Sequence, residues 1–174
     1  MSATVNNYPS TSEYAPYYGK YVSLVPEGDI LGTLSAQLDS TLLLLRGIDE
    51  EKAGHRYAPD KWSIKELVGH VIDTERIFAY RTLRFARGDK AELQGFEQDG
   101  YIRNASFDAC KLYELAEEFE FVRRGNLLMF RHLDNEAWQR RGVASNAEVS
   151  VRALAYIMAG HERHHVEILQ ARYL

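Results

Sequence analysis

The sequence predicts an all-α chain built as a four-helix bundle. Three observations predict it: four long stretches whose apolar residues recur every three or four positions, no run of alternating apolar and polar residues, and no internal repeat. With 174 residues, 45% hydrophobic and 26% charged, the chain is long enough to bury one core of ordinary size.

The opening segment, from Asn6 to Tyr21, is rich in Tyr, Ser and Pro and has no helical period. It predicts an extended arm over residues 1–26, laid on a bundle domain of residues 27–174. From Glu27 to Ile48, Ile30, Leu31, Leu34, Leu38, Leu42 and Leu45 trace one amphipathic face, which gives the first helix. The second begins at Ser63, where Ser63 and Glu66 have capping-box spacing, and runs to Arg87 before Gly88. Its inner side carries Ile64, Leu67, Val68, Val71, Phe78 and Leu83, with His70 at the margin of that stripe, where it can face a cavity between helices. Asp89 to Ala105 holds Gly95, Gly100 and Asn104 and few apolar residues, so it predicts a loop with one short turn. The third helix is expected from Ser106 or Phe107 to Leu133, with Cys110 in its first turns as a small core residue. Its stripe is Leu112, Leu115, Phe119, Val122, Met129, Phe130 and Leu133. Asp134 to Trp138 then leads through Arg140-Arg141-Gly142 to a fourth helix from Ser150 to Tyr173.

The fourth helix carries the chemistry. His161 and His165 lie four residues apart in the series Leu154, Ile157, Met158, His161, His165, Ile168, so both imidazoles point from one apolar face toward one place. A bare imidazole among aliphatic chains costs about 1 to 3 kcal/mol per unpaired polar group. Metal coordination gives both rings a shared partner. With His70 converging from the second helix, three neutral imidazoles make an open site with a position left for water or substrate. His164 stands about 60° off the stripe, at the surface or beside the ligands, although a 161/164 pairing is also geometrically open. Asp73 and Glu75 are candidates to orient an imidazole or act as a general base, and equally candidates for solvated charges. His55 and His132 fall in connecting segments. Arg123-Arg124 and Arg140-Arg141 are expected on solvated faces, and Trp62, Trp138 and the Tyr-rich arm are expected to pack.

A net charge of −4 with interspersed signs argues against nucleic acid as a ligand. A single cysteine rules out an intramolecular disulfide and a cysteine zinc cluster, and suits a reducing cytoplasm. The opening residues lack a cationic stretch followed by an apolar one, and no run approaches the roughly 18 apolar residues of a membrane span, so the expected location is cytoplasmic, with no membrane partner.

Two motifs in order, Lys61-Trp62-Ser63-Ile64-Lys65-Glu66 leading to His70-Val71-Ile72-Asp73-Thr74-Glu75-Arg76, and the closing Gly160-His161-Glu162-Arg163-His164-His165, resemble those of the DinB/YfiT-like superfamily. The resemblance covers nearly the whole chain, from Ala15-Pro16-Tyr17-Tyr18-Gly19 onward. It implies an up-up-down-down bundle, commonly a homodimer, with a nickel or zinc site whose ligands by position are His70, His161 and His165. Relatives include bacillithiol and mycothiol S-transferases, a maleylpyruvate isomerase and metal-dependent hydrolases. The expected function is therefore a metal-dependent enzyme that lowers the pKa of a low-molecular-weight thiol for S-transfer to a small electrophile. The alternatives are a hydrolase that activates water, and a non-catalytic metal-binding stress-response module. Substrate selection is expected in the 89–105 loop and the arm.

Overall fold

A computed structural model describes residues 8–174. Four long helices form the body: α2 (Ile30–Arg46), α4 (Ile64–Ala86), α6 (Leu112–Arg131) and α8 (Val151–Arg172). Short helices fill the connections: α1 (Gly19–Val22), α3 (Glu50–Ala53), α5 (Gln98–Asn104) and α7 (Asn135–Gln139). Side chains set the starts of the long helices. Ser63 Oγ accepts from Glu66 N at 3.1 Å while the Glu66 carboxylate accepts from Ser63 N at 2.8 Å, the capping box the sequence predicts. Ser150 caps α8 through a single bond, its Oγ accepting from Ala153 N at 2.9 Å.

Helix α2 packs on α6 and α8, and α4 packs on the same two, so α2 and α4 are diagonal. Bonds along the chain set the directions. Gly28 meets Tyr156, Gln37 meets Ala159 and Thr41 meets Glu162, so α2 and α8 run parallel. Trp62 meets Tyr173 and His70 meets His161, so α4 and α8 are antiparallel. Glu50 meets Leu112 and Arg46 meets Glu120, which makes α2 and α6 antiparallel. The order is therefore up-down-down-up, a correction to the expected up-up-down-down. The connection between α2 and α4 crosses the bundle diagonal, so α4 returns antiparallel to α2 without packing beside it.

Other expectations are corrected as well. The described part of the arm is not extended: Thr11–Glu13 and Pro16–Tyr18 form 3-10 turns ahead of α1, and residues 1–7 lie outside the described residues. Arg141–Ala144 (β1) and Ala147–Ser150 (β2) form an antiparallel hairpin. Its turn residues Ser145 and Asn146 have φ of 54° and 61°, the type I′ geometry that matches strand twist. Leu93 pairs with the hairpin edge through Leu93 N to Val143 O at 2.9 Å, and the segment after it winds into α5. Helix α6 starts at Leu112, so Cys110 precedes it, half-buried at the end of a 3-10 turn. Leu83 is exposed, and Phe85 takes its inner place.

The core has two apolar clusters, one around Leu34, Phe78, Phe130 and Leu154, the other around Leu42, Leu67, Phe119 and Leu169. Between them on α4, α6 and α8 lies a polar belt of buried His70, Glu75, Arg123, His161, Glu162 and His165.

Candidate metal centre

Helix α4 supplies His70, and successive turns of α8 supply His161 and His165. All three are buried, at 3%, 6% and 8% exposure. One ring nitrogen from each lies within 4.8 Å of the others. His70 Nε2 and His161 Nε2 face each other at 3.1 Å. Two nitrogens bound to one ion at roughly 2.0 to 2.1 Å in tetrahedral geometry stand about 3.3 Å apart, so the pair is already near ligating distance. Thr74 Oγ1 lies 3.5 Å from His70 Nδ1, on the ring edge away from His161. His165 Nδ1 is buried without a hydrogen-bond partner among the described residues. The donor set thus fits one divalent transition ion.

Burial holds His70 down to about 4 and His165 to about 2. The His161 ring is also pushed well below the ordinary range, by burial first and then by the neighbouring His165 and His70. All three are neutral at pH 7, the form that ligates.

Aromatic rings enclose the triad. Trp62 lies 4.8 Å from His70 and 6.5 Å from His165, centroid to centroid. Phe78 and Tyr21 stand edge-on to His161 at 5.9 and 5.3 Å. Gly160 makes the Tyr21 contact possible: a Cβ there would sit 2.0 Å from the Tyr21 carbonyl oxygen, so only glycine admits α1 against α8. Beside His70 and His161 opens a cavity of about 510 Å³, walled by Tyr17, Tyr18, Tyr21, Thr74, Phe78, Arg81 and residues 96–99, with Ala144, Ser145 and Ala147 of the hairpin.

The remaining candidates lie elsewhere. Asp73 points toward α6, near Arg76 and Glu118. Glu75 is buried, yet it pairs with Arg123 and not with an imidazole. His164 is half-buried against Tyr21, its ring 5.2 Å from that of His165, and burial, then Lys20, lowers its pKa. His55 and His132 are exposed in connecting segments, as expected. Trp138 packs as expected, stacked on Phe130 at 5.2 Å. Arg123 is not solvated: it is fully buried between Glu75 and Glu162. Sequence reasoning missed Tyr21, Thr74 and Arg81 as parts of the site. Thr74 and Arg81 carried a signal, since residues 70, 74 and 81 share one helical face.

Comparison with curated proteins gave no match. Among solved structures the fold is similar to YfiT from Bacillus subtilis, described as a probable metal-dependent hydrolase with an unusual four-helix bundle topology. The TM-score is 0.68 at 11% identity, over 93% of this chain and 91% of that one. A mycothiol-dependent maleylpyruvate isomerase aligns with TM-score 0.68 and 13% identity over 83% of this chain, which spans only 61% of the isomerase. A DinB-like protein from Bacillus subtilis aligns with TM-score 0.59 and 19% identity, over 83% of this chain and 89% of that one. At these identities the likeness is one of fold. The sequence itself matches the family model described as the DinB superfamily over residues 33–169, most of its length, and the chain belongs to that superfamily.

Proposed function

We propose that this protein is a metal-dependent enzyme in which His70, His161 and His165 hold one zinc or nickel ion, and that it transfers a low-molecular-weight thiol to a small electrophile. The observation that carries this reading is three buried, neutral imidazoles with ring nitrogens within 4.8 Å of one another, two of which, His70 and His161, line a cavity large enough for an organic substrate. When bound, the metal supplies Lewis acidity that makes a thiol or water a nucleophile near neutral pH. Three protein ligands leave a position for that nucleophile. The chain's own residues do the rest: Thr74 lies against the far edge of the His70 ring, Trp62 and Phe78 keep bulk water from the nitrogens, and Tyr21 closes the arm side. Burial pushes the Tyr21 hydroxyl up, so it stays protonated at pH 7. The fold likeness to a thiol-dependent isomerase supports thiol over water, and the likeness to a probable hydrolase keeps hydrolysis as the second reading. Exposed Leu43 on α2 and Phe121 and Leu128 on α6 support a homodimer.

Elemental analysis of untagged protein tests the reading. The expected result is about one equivalent of Zn or Ni per chain, lost in His161→Ala/His165→Ala, with thiol consumption lost alongside. No metal in the wild type after reconstitution with both ions refutes it. Metal lost together with most of the thermal stability, and no turnover in the loaded protein with any thiol, points instead to the non-catalytic module.

A further inference from the structure

The cavity beside the histidines extends along α4 to a guanidinium that has no acid paired with it among the described residues. Arg81 is 2% exposed and lines the same cavity as His70 and His161. Its partners are neutral: Nη2 donates to Gln94 O at 3.1 Å and to Ser145 Oγ at 2.9 Å. Those bonds use both Nη2 hydrogens, so Nε–H and both Nη1–H have no partner among the described residues. Burying a cation costs several kcal/mol unless it is paired, and arginine cannot shed its proton. Arg123, equally buried in the same bundle, has two carboxylates against it. Arg81 has no carboxylate within ion-pairing distance among the described residues, and its unused N–H groups open onto the cavity, where an anion can supply the counter-charge. The acids at the cavity mouth do not serve. Glu97 is exposed and spends its carboxylate on Asp99 N at 2.8 Å and Gly100 N at 2.7 Å, and Asp99 is exposed too.

Position fixes the shape of the missing partner. Eleven residues at 100° each bring Arg81 back to within about 20° of the His70 face, about 16 Å further along the axis. Side chains on a helix lean toward its N-terminus, the longer arginine further than the histidine, which leaves a gap on the order of 13 Å between guanidinium and imidazoles; metal–ligand bonds and the hydrogen bonds to an anion take up about 5 Å of that span. Thr74 and Phe78 line the interval, and Tyr18 packs edge-on against Phe78 at 6.2 Å.

We propose that Arg81 binds the carboxylate of the substrate: a small molecule that reaches the three histidines carries an anionic group about 8 Å from its reacting atom. This rests on the metal centre proposed above. Either the thiol or the electrophile can carry the carboxylate, and the probe reports on the anion in both cases.

Cobalt(II)-loaded protein is titrated with 6-mercaptohexanoate and with 6-mercaptohexanol, reading the sulfur-to-cobalt charge-transfer band. The acid is expected to bind about tenfold tighter than the alcohol. That ratio falls to about one in Arg81→Gln and is partly kept in Arg81→Lys, while 3-mercaptopropanoate, too short to reach, shows no advantage over 3-mercaptopropanol. Cobalt stoichiometry and circular dichroism establish that the variants fold; if the Gln variant does not, the chain-length dependence in the wild type and the Lys variant carry the test. Equal affinity for acid and alcohol at every length overturns the proposal and leaves Arg81 a strut between α4 and the hairpin turn. If cobalt does not bind, or binds with no thiol band, the functional reading fails. Calorimetry with hexanoate against hexanol then decides Arg81 separately: a preference for the acid that is lost in Arg81→Gln supports the anion site, and no preference ends it.

Discussion

Arg123 is among the largest side chains sealed in the molecule, and two acids share it. Its Nε and Nη2 donate to the Glu75 carboxylate at 2.7 Å each, Nη2 also lies 2.8 Å from Glu162, and Nη1 donates to Leu34 O at 3.1 Å. Thr41 and Asn126 complete the network by donating to Glu162 and Glu75. Burial nevertheless pushes the Glu162 carboxyl up, against the pull of Arg123. Arg123→Met leaves two buried carboxylates without their cation and is expected to cost about 3 to 5 kcal/mol in urea unfolding. Replacing all three with apolar residues should recover most of that loss; a single variant as stable as wild type contradicts the account. In the sequence Arg123 sits beside Arg124 and looks like half of a solvated pair. Nothing local distinguishes them, because the acids that bury Arg123 come from residues 75 and 162, on two other helices. The histidines were legible because His161 and His165 sit on one turn spacing within an apolar series, a conflict visible without knowing any partner.

The long helices were legible for the same reason: period and caps are local, and the Ser63–Glu66 capping box stands where its spacing indicated. The hairpin was not, since strands of four residues are too short for alternation to show, and its one cue is the Ser145-Asn146 turn. The arm's turns hide among tyrosines with no period, yet the arm is anchored. The Glu13 carboxylate takes the hydroxyl of Ser150 at 2.8 Å and the guanidinium of Arg152, tying the arm to the start of α8. Burial opposes ionisation of Glu13, but Arg152, Ser10 N–H and Ser150 outweigh it and hold the carboxyl down to about 2 from an ordinary 4.5. A depressed carboxyl stabilises above its unfolded value and loses that contribution as the proton returns, here between about pH 4.5 and 2. Pepsin should therefore cut the arm faster as pH falls through that window while circular dichroism still reports the bundle. Glu13→Gln should be cut faster than the wild type near pH 4.5, and the ratio of the two rates, which cancels pepsin's own pH dependence, should fall toward one near pH 2. A ratio of one throughout would mean that the clasp does not hold the arm.

At the scale of the whole molecule, direction was the part the sequence hid, because each helix reads the same either way up and only contacts between helices such as Thr41 with Glu162 orient them. Assembly is tested at this scale. Sedimentation equilibrium should return twice the 20.0 kDa chain mass, and Phe121→Asp with Leu128→Asp should return one chain with metal content unchanged. A wild-type mass of one chain removes the homodimer. The belt that carries the histidines is rooted in the middles of α4 and α8, where every backbone group is committed to a helix. The cavity's outer walls come from the arm, the segment leading into α5 and the hairpin turn, all of them outside the four long helices. On the proposed function, reactivity and selectivity thus occupy separately heritable parts: connectors can lengthen, shorten or change charge while the imidazoles stay in place, so one bundle can be refitted for new substrates without rebuilding its engine.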